Sequence, residues 1–128
     1  MRYLLDTHAL LWWFTDDSRL SRVARDAIMD EANEVLVSAA SAWEIATKHR
    51  LGKLNEAADA VRRFDELVAA DGFQHLPVSH LHGLKAGGYA AEHRDPFDRM
   101  LAAQSELEAV PLISCDAAFG SFGTRTVW

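Results

Sequence analysis

RYLLDTHALLWWF, residues Arg2–Phe14, sets the reading of the whole chain. A short apolar run, Arg2–Leu5, ends on an acid, Asp6, and helical spacing of apolar residues begins at Thr7. The same pattern returns twice. EVLVSAASAWE (Glu34–Glu44) passes from an apolar run into a helical stretch, and PLISCDAAF (Pro111–Phe119) again places an acid, Asp116, just beyond a strand candidate. Further strand candidates are His75–Val78 and Arg125–Trp128, so the set is Arg2–Leu5, Glu34–Val37, His75–Val78, Pro111–Ser114 and Arg125–Trp128. They are mostly apolar rather than alternating, which suits strands covered on both faces. Pro77 lies inside the third and marks it as an edge strand.

Helical periodicity fills the intervals: Thr7–Phe14, Ser21–Ala32, Ala39–Leu51, Glu56–Ala70, Ser79–Ala86 and Pro96–Leu107. Gly52 and Gly72 stop two of these helices, and Pro96 opens the last at a position where its missing N–H costs nothing. Strands alternating with helices predict an α/β chain, a three-layer sandwich around a parallel five-stranded sheet with right-handed crossovers.

Composition narrows the function. The chain has 128 residues, 49% hydrophobic and 25% charged, a length that fits one domain spanning 1–128. Cys115 is the only cysteine, so no intrachain disulfide forms and a reducing, cytoplasmic compartment is expected. The longest uncharged run near the N-terminus, Ala9–Phe14, is too short for a signal-peptide core or a membrane span, and no membrane role is expected. With 13 Lys+Arg against 19 Asp+Glu the net charge is −6, the reverse of the usual balance for binding phosphates. The excess of acids is compatible with nucleic acid only if some of the carboxylates are grouped to hold cations.

Four acids are placed for that role. Asp6 and Asp116 follow strands, Asp98 stands in the first turn of the helix opened by Asp95-Pro96, and Glu44 interrupts the apolar stretch Ser41–Ala46. Each has an ordinary explanation of its own. Asp6, Asp95 and Asp116 suit helix N-caps, Asp98 suits the positive end of a helix dipole, and Glu44 can pair with Lys48 one turn on. Together they read differently. The carboxyl ends of parallel strands share one edge, which is where such sheets bind ligands. Carboxylates converging there repel one another unless a cation neutralises them, and all-oxygen ligation suits Mg²⁺ or Mn²⁺. Metal-assisted phosphodiester hydrolysis is the chemistry such a site supports.

The segments DTHALLWWF (Asp6–Phe14), SAASAWEIATKHRLGKL (Ser38–Leu54), HRDPFDRMLAAQ (His93–Gln104) and PLISCDAAF (Pro111–Phe119) together resemble a PIN-domain ribonuclease of the VapC type, the toxins of type II toxin–antitoxin systems. The resemblance covers essentially the whole chain. It implies a sheet in the order 3-2-1-4-5, a Mg²⁺- or Mn²⁺-dependent endoribonuclease leaving 5′-phosphate and 3′-hydroxyl ends, and a homodimer neutralised by a cognate antitoxin. The acidic site it implies is Asp6, Glu44, Asp98 and Asp116, with Asp95 as the helix cap and Thr7 and Ser114 as hydroxyl supports.

Among the remaining residues, Lys48, Arg94 and Arg99 are the candidates for contacting RNA phosphates, with local ion pairing as the alternative. His93 suits a structural hydrogen bond or a proton-transfer role, and His80 and His82 suit structure, since no cysteine or third histidine is near. Trp12, Trp13 and Trp43 read as core or interface anchors, with base stacking as the alternative, and Cys115 as a buried small side chain. The His93-Arg94-Asp95 triplet lacks the Gly-rich loop and lysine of a kinase, and no lysine follows Lys85 to serve a phosphotransfer receiver. A non-catalytic module acting through protein or RNA partners is the rival to the nuclease.

Overall fold

The computed structural model describes residues 1–128. Its five strands are β1 (Arg2–Leu5), β2 (Glu34–Ser38), β3 (Gln74–Leu76), β4 (Leu112–Ile113) and β5 (Thr126–Val127). They form one sheet in the order β3-β2-β1-β4-β5 with every neighbouring pair parallel. β1 is central: Leu4 stands opposite Leu36 on one side and Leu112 on the other. The helices are α1 (Thr7–Phe14), α2 (Arg22–Met29), α3 (Ala39–Arg50), α4 (Ala58–Arg62), α5 (Phe64–Ala70), α6 (His80–Gly88) and α7 (Pro96–Glu108), with 3₁₀ turns at Asn55–Ala57 and Ala117–Phe122.

The period of two along each strand divides the core between the sheet's faces. Leu5, Val35, Val37 and Ile113 point to one side, where Leu10, Ala24, Ile28, Ile45, Ala60 and Val68 from α1 to α5 cover them. Leu4, Leu36 and Leu112 point to the other, against Leu101 and Ala102 of α7 and Phe119 and Phe122. This is the expected three-layer sandwich, with the expected strand order.

The differences are local. Ser21 caps α2 instead of joining it, its hydroxyl accepting from Ala24 N at 3.0 Å. The helix expected over Glu56–Ala70 is broken at Arg63, where φ −120° and ψ 24° leave helical geometry. The break lets two short helices each set one apolar side chain, Ala60 and Val68, into the same core. β3 ends at Leu76, before Pro77, whose ring nitrogen has no proton to give a ladder. β4 ends at Ile113, so alternation turns Ser114 inward and leaves Cys115 exposed, correcting the expectation of a buried thiol. Trp12 and Trp13 pack against the core as expected, but Trp43 is 62% exposed, lying on the surface against Phe97. No helix is long and apolar enough to cross a membrane.

The two-faced core gives a direct test. Leu5 is fully buried at the end of β1 and Leu84 is 72% exposed on α6. Urea unfolding of Leu5→Ala is expected to show a loss of about 2–5 kcal/mol, and that of Leu84→Ala a change within about 0.5 kcal/mol.

Candidate active site

Parallel pairing carries the ends of β1, β2 and β4 to one edge, and the helices α1, α3 and α7 all begin there. Asp6 follows β1 directly. Its side chain caps α1, accepting from Ala9 N at 2.7 Å, and only 6% of the residue is exposed. Asp116, beyond β4, caps the 3₁₀ turn through Ala118 N at 2.9 Å and remains exposed. Asp95 caps α7, accepting from Phe97 N at 2.9 Å and Asp98 N at 3.4 Å. Asp98 then stands in the first turn, its Oδ2 2.8 Å from His93 Nε2. Glu44 is buried in α3, its side chain 3% exposed, and pairs with Lys48 one turn on.

So each ordinary explanation holds, yet none accounts for the electrostatics. Burial is the largest influence on Asp6 and raises its pKa to about 6 from 3.8. The Ser114 hydroxyl, Ala9 N–H and His8 oppose that rise, and the Asp98 charge adds to it. An N-cap contributes about 1 kcal/mol, whereas a shift of this size means the buried charge costs about 3 kcal/mol. Serine caps α2, α3 and α6 here with no such cost. Asp98 is raised too, first by burial, then by the charges of Asp95, Glu44 and Asp116, against the pull of His93. The charges of Glu44 and Asp116 thus act on Asp98, and that of Asp98 acts on Asp6. Lys48, in turn, feels Glu44, Asp95 and Asp98.

The acids share an edge and one field, but no three His, Cys, Asp or Glu side chains stand in a ready-made ligand cluster. The largest cavity, about 380 Å³, lies beside the acids instead of among them. Its walls include Trp43 and Phe97, the sequence neighbours of Glu44 and Asp98.

The supporting residues are partly as expected. Ser114 faces Asp6 and also accepts from Asp116 N at 3.0 Å. Thr7 does not support an acid: its hydroxyl donates to Ser41 Oγ at 3.0 Å, tying α1 to α3. His82 is structural, completing a capping box with Ser79 and lying 3.0 Å from Glu108.

Of the candidate phosphate contacts, Arg94 is exposed and makes no ion pair, and Lys48 is engaged by Glu44. Arg99 corrects the sequence reading, because its guanidinium is committed to backbone carbonyls of residues 86–93. Gln104 went unnoticed in the sequence. It is fully buried in α7, accepting from Ser38 Oγ at 2.5 Å and donating to Pro77 O at 3.3 Å, so it ties α7 to the end of β2 and the segment after β3. A lone glutamine in an apolar helical stretch was the available signal.

The PIN domain family model matches residues 3–123. Ribonuclease VapC16 of Mycobacterium tuberculosis is 38% identical over 71 residues, covering 50% of this chain and 50% of that protein, so the chain spans about half the length of the curated relative it matches. Among solved structures, VapBC2 from Rickettsia felis, bound to a DNA fragment from its promoter, aligns at TM-score 0.68 and 12% identity over 100% of this chain and 99% of its own. VapBC-1 from nontypeable Haemophilus influenzae aligns at TM-score 0.65 and 14% identity over 99% and 97%. At such identities the structures show a shared fold.

The cost of the buried charge on Asp6 gives it a pH signature. Its folded pKa is raised to about 6, so the protonated form favours the native state, and stability falls as pH rises from about 4 through 6. Asparagine keeps the capping oxygen and carries no charge. In EDTA, Asp6→Asn is expected to stabilise the protein by about 2–3 kcal/mol near pH 7.5 and to change it little near pH 4, measured by denaturant unfolding at both.

Proposed function

Because this chain belongs to the PIN domain family, we propose that it is a divalent-metal-dependent endoribonuclease, the toxin of a toxin–antitoxin pair. The observation that carries the reading is the buried, charge-disfavoured Asp6 facing a field of acids centred on Asp98. Evolution has cheaper caps than a buried aspartate, and a cation offsets the cost. The donor set fits a hard ion: Asp6, Glu44, Asp98 and Asp116 offer only carboxylate oxygens, so Mg²⁺ or Mn²⁺ is the expected cofactor. A divalent ion held there supplies positive charge against a phosphodiester undergoing attack and lowers the pKa of water.

The chain's own residues supply the rest. Lys48 balances Glu44 in its buried position, and Asp95 fixes the start of α7 on which Asp98 stands. Exposed Arg94 contacts an RNA phosphate, and exposed Trp43 offers a face on which a base can stack. Hydrolysis leaves a 5′-phosphate and a 3′-hydroxyl. A cognate antitoxin, in line with the VapBC structures that share the fold, and a homodimeric state complete the proposal. The Glu44–Lys48 pair and the absence of a preformed three-ligand cluster favour a second reading, a non-catalytic binding module of the same fold.

Incubation of partner-free protein with structured RNAs and Mg²⁺ or Mn²⁺ separates the two. Cleavage is expected, abolished by EDTA and reduced at least about 100-fold in Asp6→Asn and Asp98→Asn. Parental rates in both variants overturn the site, and RNA binding without cleavage favours the module.

A further inference from the structure

Arg99 adjoins Asp98 in α7, yet its guanidinium turns away from the acids. Nε donates to Ala86 O at 2.8 Å, Nη1 to Ala91 O and His93 O at 2.9 Å each, and Nη2 to Tyr89 O at 2.6 Å and Gly87 O at 3.4 Å. A guanidinium carries five N–H groups in a rigid plane, and here each has one acceptor. The acceptors are two carbonyls from the last turn of α6 and three from residues 89–95, which have no regular secondary structure. Half-buried carbonyls without a ladder need partners, and a single side chain provides them. The same segment delivers His93, whose Nε2 meets Asp98 Oδ2 at 2.8 Å. Phe122 closes the arrangement, with the rings of Tyr89 and His93 at 5.0 and 5.6 Å and the Arg99 guanidinium carbon at 6.0 Å.

We propose that Arg99 is a positioning residue for the acidic site: by gathering five carbonyls of residues 86–93 it fixes His93, and His93 in turn holds the Asp98 carboxylate in one orientation. Lysine cannot replace it, because an ammonium concentrates three donors at one point and cannot reach five carbonyls spread around the edge of a planar fork. The proposal rests on Asp98 as a site acid only for its consequence in cation binding; the hold of Arg99 on His93 stands apart from it.

The test uses the full chain in EDTA and then with Mn²⁺ alone. In EDTA, the ring resonances of His93 in Arg99→Lys are expected to move toward those of Asp98→Ala, while the indole signals of Trp12 and Trp128, which pack together elsewhere, keep their positions. His93 resonances identical to the parent's overturn the proposal. In the parent itself, the two Nη groups of Arg99 are expected to give separate, slowly exchanging signals. A single averaged Nη signal overturns the proposal even if no Arg99 variant folds. With Mn²⁺ as the probe, Arg99→Lys is expected to bind about 10–100-fold more weakly than the parent, and His93→Ala combined with Arg99→Lys no more weakly than His93→Ala alone. Additive losses in that pair overturn the route through His93. A parent that binds no Mn²⁺ overturns the cation reading of the acids, leaving the Arg99–His93 result to be judged by the metal-free spectra.

Discussion

The parallel pairing of β1 with β2 on one side and β4 on the other is the constraint on which the acidic edge depends. A parallel sheet has a direction, and every strand delivers its chain to the same rim. Asp6 and Asp116 arrive there on strand ends, Glu44 on the helix leaving β2, and Asp98 on the helix that precedes β4. An antiparallel β4 would send Ser114 and Asp116 to the opposite rim and leave Asp6 without its hydroxyl neighbour. The core enforces the arrangement, because Leu4 and Leu5 face opposite layers and a slip of one residue would exchange them.

At that rim, local stability and charge pull against each other. Asp6, Asp95 and Asp116 satisfy helix ends, and Glu44 has its lysine, so each acid has a reason to be where it is. Asp6 and Asp98 are nonetheless held in the charge-disfavoring direction, chiefly by burial. Caps contribute about 1 kcal/mol apiece, less than the cost of burying the Asp6 charge. A chain selected only for stability would place serine at residue 6, as it does at 21, 38 and 79.

Much of this was legible in the sequence, because the signals were local. Apolar runs ending in an acid or serine, followed by helical spacing, located β1, β2 and β4 and the helices after the first two. Pro77 and Pro96 marked an edge strand and a helix start through the chemistry of one ring nitrogen. What stayed hidden depends on contacts between distant segments. Nothing near Arg63 announces that the helix breaks there, since the break serves packing of Ala60 and Val68. Cys115, between Ser114 and Asp116, was expected to be buried because a free cysteine behaves as a small hydrophobe, but its exposure follows from where β4 stops. Arg99 resembled a phosphate contact because a cationic side chain beside an acid invites that reading. Only coordinates reveal that its acceptors are carbonyls up to a helix away.

The central position of β1 has a consequence for how the protein is made. Its first neighbour, β2, is close behind it in the chain, but its second, β4, lies far along the chain, beyond α7. Contacts so distant along the polypeptide close slowly and late. A ribosome that has just added β3 thus already holds Asp6 outside its tunnel while the Ser114 that will face it has yet to be added. The acidic rim is assembled only after β4 has been translated.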